Sequence, residues 1–103
     1  MFDYQAIKSR LVVTAFWEAK PGEADAVADI LRQFSPKAQK DSGVELFVVH
    51  QSRSEPAKFF FYEVFDGPEA FEAHQATLHF KSLIAEKALP KLAKRERMQY
   101  AAL

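Results

Sequence analysis

The chain has no cysteine, only three glycines and no surplus of either charge, and its longest largely apolar run is LVVTAFW (11–17). Without cysteine there can be no disulfide framework, thiolate zinc site or cysteine nucleophile. Fourteen basic residues are matched by fourteen acidic ones, so the basic excess of a nucleic-acid surface is missing. The nearest basic cluster, KLAKRER (91–97), includes a glutamate and reads as a strand edge or helix end. The apolar run falls far short of the ~20 residues of a membrane span. The opening MFDYQAIKSR shows neither a charged n-region before an apolar core nor a small-residue cleavage site. The expectation is a soluble cytoplasmic protein that binds neither nucleic acid nor membrane. At 103 residues it is one domain, long enough to bury about two-thirds of its unfolded surface.

What the chain has in quantity is rings: ten phenylalanines, three tyrosines and a tryptophan. RLVVTAFWEA (10–19) is β-branched, aromatic and nearly continuous in apolar character, which predicts a strand buried on both faces. Lys20-Pro21-Gly22 ends it. Val27, Ile30, Leu31 and Phe34 then recur at helical spacing, with Glu23 and Asp25 in the first turn where the helix dipole favours anions. Ser35-Pro36 predicts an interruption or a kink, with Ser35 capping a short continuation. Asp41-Ser42-Gly43 supplies the stop. VELFVVHQS (44–52) and KFFFYEVF (58–65) read as a hairpin around the polar turn 52–57. Asp66-Gly67-Pro68 opens a second helical region in which Ala70, Phe71, His74 and Leu78 share a face; the pattern resumes at Phe80, Leu83, Ile84 and Ala88 before Pro90. Residues 92–103 are weakly strand-like.

The order is β-α-β-β-α-β, a ferredoxin-like α+β fold with an antiparallel sheet and both helices on one face. It forms one domain (10–103) behind an N-terminal arm (1–9), whose Phe2, Tyr4 and Ile7 predict a contact. Strands one and three are apolar on both faces, and no chain remains to cover the second face. A homodimer packed sheet to sheet is the expected solution.

Two of the three histidines, His74 and His79, stand five residues apart. On a continuous helix they would lie about 140° apart, unsuited to one metal ion. If instead Thr77 breaks the helix and caps a second piece, His74 sits at a C-terminus and His79 in a first turn. Opposite dipole ends would then raise one imidazole's pKa and lower the other's. The alternative is a half-buried His74 with one hydrogen bond and a solvated His79. Glu63, in FFFYEVF, is a carboxylate among rings on a strand that otherwise avoids charge. If its face is the helix-covered one, it could meet His74. His50, near the end of strand two, reads as a polar strand-end residue.

YEVFDGPEAFEAHQATLHF (62–80) resembles the signature of the antibiotic biosynthesis monooxygenase family: Tyr62, Glu63, Phe65, His74, His79 and Phe80 fill its positions. AFWEAKPGEADAV resembles the family's first strand and Pro-Gly turn, and KDSG its acidic-x-Gly before strand two. The resemblance implies a dimeric α+β barrel. It covers three kinds of chemistry: cofactor-independent oxygenation of phenols and quinols, haem degradation, and isomerisation of a small signalling molecule. Haem degradation wants Asn, Trp and His where this chain aligns Ala15, Phe65 and Ile84. The expectation is therefore a monooxygenase taking a small aromatic substrate and O2, with no cofactor and no metal. His74 or His79 would accept the proton, Glu63 would orient the imidazole, and Trp17, Phe61, Phe65 and Phe71 would contact substrate. An isomerase of a hydroxy-carbonyl compound and a non-catalytic ligand-binding or stress-response module are the alternatives.

Overall fold

A computed structural model describes residues 4–103. A short helix α1 (Tyr4–Ile7) precedes strand β1 (Leu11–Ala19), and helix α2 (Ala24–Gln39) leads to β2 (Val44–Gln51) and β3 (Lys58–Phe65). Helix α3 (Pro68–Gln75) is followed by a π-helical segment (Phe80–Ala88), a single 3-10 turn (Leu89–Lys91) and β4 (Leu92–Ala101). The strands form one antiparallel sheet in the order β2-β3-β1-β4. This is the expected ferredoxin-like α+β fold.

Helix α2 lies on one sheet face because Val27, Ile30, Leu31, Phe34 and Ala38 form one buried stripe. They pack against Val13, Ala15 and Trp17 of β1, Phe47 of β2, and Phe59, Phe61 and Phe65 of β3. Pro36 does not interrupt α2, although an interruption was one of the two expected outcomes; the helix runs through it to Gln39. The carbonyl that loses its partner there belongs to exposed Arg32, where water can serve it.

The second helical region does break. Thr77 accepts a hydrogen bond from Phe80 N–H (3.2 Å) and donates one to His74 C=O (2.9 Å), closing α3 and starting the next segment. That segment is π-helical rather than α-helical, a geometry concentrated at functional sites. It buries Leu83, Ile84 and Ala88.

The opposite sheet face is partly covered from within the chain. Ile7 of the arm is buried against Val12 and Val64, so the arm does reach the face for which no covering segment was expected. Phe2 lies outside the described residues. Farther along that face Phe60, Met98 and Tyr100 remain 45%, 56% and 47% exposed.

Candidate active site

Between the sheet and the two helical segments lies a cavity of about 30 Å³, room for one or two waters. Larger grooves open elsewhere on the surface: those of about 370 and 540 Å³ are lined by no imidazole, and one of about 230 Å³ is lined by the exposed His50. The sheet contributes Ala15, Trp17, Phe47 and Phe61, with the Trp17 and Phe61 rings 4.6 Å apart. Phe71 of α3, and Phe80 and Ile84 of the π-helical segment, close the other side. The polar groups are His74, Glu63, Arg95 and Arg97.

His74 is 3% exposed and ringed by phenylalanines: the centroids of Phe34, Phe47, Phe65 and Phe80 lie 5.3–5.7 Å from its own. Its Nδ1 is 3.2 Å from Asp41 Oδ2. The same carboxylate meets His79 Nε2, 2.9 Å from Oδ1 and 3.0 Å from Oδ2. An ionised carboxylate only accepts, so both rings donate and His74 keeps its lone pair on Nε2. Breaking the helix at Thr77 is what lets residues five apart converge on one carboxylate. Among the described residues, no group of three or more His, Asp or Glu side chains could hold a metal ion.

Asp41 was missed as a functional residue. A signal was present: an acidic residue immediately beyond a helix C-terminus, where the dipole disfavours anions, needs a compensating donor. Glu63 does lie on the helix-covered face, between Val13 and Phe47 in the sheet register. It is 6% exposed, yet the carboxylate that orients the imidazoles is Asp41, 33 and 38 residues before them, not Glu63.

Burial decides the charges. Desolvation among the phenylalanines pulls the His74 pKa below its ordinary value, against the raising effect of Asp41 and with a smaller lowering effect from His79. A raised value from the helix C-terminus was expected; desolvation outweighs it. Burial also lifts the Glu63 carboxyl to about 7, although Arg97 and Arg95 both oppose the rise. The two arginines project from the edge strand β4, opposite Ala15 and Trp17.

Of the expected substrate contacts, Trp17, Phe61 and Phe71 line the cavity. Phe65 does not. It is fully buried behind His74, between that ring and Phe71.

A sequence model of the family described as antibiotic biosynthesis monooxygenase matches residues 10–86. The chain belongs to the antibiotic biosynthesis monooxygenase family. Comparison with curated proteins finds no match. Among solved structures the chain is similar to PA3566 from Pseudomonas aeruginosa, at 26% identity over 94% of this chain and 97% of that one, with a TM-score of 0.87. A conserved protein from Methanosarcina mazei Go1 superposes with a TM-score of 0.87 at 19% identity, over 98% of this chain and 100% of the other. A candidate antibiotic biosynthesis monooxygenase from Nitrosomonas europaea gives 0.86 at 20% identity, over 100% and 95%. The latter two likenesses speak to fold alone. Within the family frame, the His74–Asp41–His79 set and the ring-walled cavity are the features that could carry chemistry. Among the described residues, no helix is long and apolar enough to cross a membrane.

Proposed function

We propose that this chain is a monooxygenase that oxidises a small phenolic or quinol substrate with O2, the bound substrate itself serving as the reductant. The observation that carries the reading is His74: a cavity-lining imidazole held by Asp41 through Nδ1, which leaves Nε2 to take a proton. Desolvation keeps this ring neutral near pH 7, the form a general base needs. Asp41 stabilises the imidazolium once it forms, and His79 fixes the other edge of Asp41.

The step balances without a further reductant. His74 accepts the phenolic proton, and the electron-rich ring then reduces O2. One oxygen atom becomes the new ring carbonyl and the other leaves as water with two hydrogens from the substrate. The protein binds the substrate dry, orients it and moves one proton. The cavity is not sealed: the exposed side chains of Arg95 and Arg97 stand at its edge, where a ring enters. A second copy of the chain covers Phe60, Met98 and Tyr100, completing a dimeric barrel.

The test is oxygen uptake with dihydroxynaphthalene-type and simpler quinol substrates. The native protein should consume O2 in step with quinone formation, and His74→Ala should lose at least about 100-fold in kcat while remaining folded under the assay conditions, as judged by circular dichroism. Product formed without oxygen uptake would mark an isomerase instead. Undiminished turnover by His74→Ala would remove His74 from the chemistry.

A further inference from the structure

Glu63 has a requirement that the protein does not meet. It is 6% exposed and lines the cavity, and its carboxylate forms no hydrogen bond with any described residue. Among the described residues no buried side-chain oxygen is left both sealed and unpartnered, so its carboxylate is reached from the cavity rather than walled into the core. A carboxylate this deeply placed calls for a donor, and its neighbours across the sheet, Val13 and Phe47, offer none.

The cationic groups beside it differ from one another. Arg97 is engaged: its Nη1 donates to Gln75 Oε1 at 3.0 Å, and its guanidinium lies 6.0 Å from the Phe71 ring centre. Arg95 reaches the same cavity from β4, its guanidinium making neither a hydrogen bond nor an ion pair to a described residue. Two guanidiniums against one carboxylate leave the wall with a positive excess, which attracts an anion. Glu63 repels any anion that brings nothing else. A ligand satisfies both groups when it offers a hydroxyl to Glu63 and a negatively charged oxygen to Arg95 from adjoining atoms.

We propose that Glu63 and Arg95 form a paired subsite for an aromatic ligand carrying a hydroxyl group beside an oxyanion, as in a singly ionised catechol. The hydroxyl donates to Glu63, Arg95 holds the neighbouring oxygen, and the ring lies against Trp17 and Phe61. The subsite deepens the function proposed above by naming the substrate class. It rests on the cavity being the substrate site, but not on oxygen chemistry or on His74.

Anaerobic binding tests it separately. Trp17 is the chain's one tryptophan and lines the cavity, so its fluorescence reports occupancy. The probes are 4-nitrocatechol, 4-nitrophenol and 2-methoxy-4-nitrophenol, each anionic slightly above neutral pH; only the first has the adjacent hydroxyl. The native protein should bind 4-nitrocatechol about tenfold or more tightly than the other two. Glu63→Met should abolish that preference while keeping some affinity for all three. Arg95→Met, at an exposed edge position and so safe for folding, should weaken every probe by about tenfold. Equal binding of the three probes by the native protein, no binding of any, or an Arg95→Met protein that binds as before would each overturn the subsite. Loss of oxygen uptake with the binding preference intact would count against the oxygenase reading alone.

Discussion

Replacing Glu63 by glutamine isolates what its burial does to stability. In the folded chain desolvation raises this carboxyl from 4.5 to about 7, with Arg97 and Arg95 pulling the other way. As pH rises, the unfolded chain releases the proton first and the folded chain retains it until about 7. Within that window the native state binds more protons, so stability falls with rising pH. The contribution is fully present below the lower value and lost above the upper one. At about 1.36 kcal/mol for each pH unit, the interval converts to about 3 kcal/mol. His74 acts in the opposite sense: its depressed pKa means that the unfolded chain takes up a proton first as pH falls, and stability drops in acid. The native curve mixes the two, but the difference between Glu63→Gln and native removes His74. Urea unfolding followed by Trp17 fluorescence, from about pH 4 to about pH 8, should show the variant gaining about 3 kcal/mol on the native protein. A difference that stays flat across the range would refute burial as the cause and place an ionised, paired Glu63 in the folded chain.

Asp41→Asn removes the charge that supports protonation of His74; the imidazole's pKa, followed by NMR, should fall further and the acid limb of the rate profile should move to lower pH. The same variant should lose about 1–3 kcal/mol, because two imidazoles lose a charged acceptor. Gly43 has φ +81°, and a Cβ there would lie 2.5 Å from Ala70 Cβ, so Gly43→Ala should cost about 1–3 kcal/mol in denaturant unfolding. Met98→Lys, on the open sheet face, should shift sedimentation from a dimer towards the 11.7 kDa monomer; a native protein already monomeric would sink the dimer proposal.

The local patterns carried far. Period-two alternation in KFFFYEVF put Phe61 and Glu63 on one face, and the register confirms that this face is the covered one. Thr77 was legible as a helix break because a cap uses only neighbours a few residues away. Two features were not legible for the same kind of reason. Phe80, Leu83, Ile84 and Ala88 suit an α-helix as well as the π-helix found, since spacing records which residues face inward and not how the backbone is bonded. Phe65 sits one alternation from the cavity-lining residues, but α3 slides His74 in front of it.

The amino-acid sequence alone therefore determines the four strands, the two main helical regions and their order, because each follows from periodicity, capping and turn chemistry within short windows; the family was legible separately, through the resemblance of residues 62–80 to its signature. The tertiary structure decided which carboxylate serves the imidazoles. Asp41 meets His74 and His79 only after α2 has crossed the sheet and α3 has folded back upon it. Tertiary packing likewise decided that desolvation, rather than helix dipoles, governs His74, since a ring's solvent is removed by residues distant in the chain: Phe34, Phe47, Phe65 and Phe80 together.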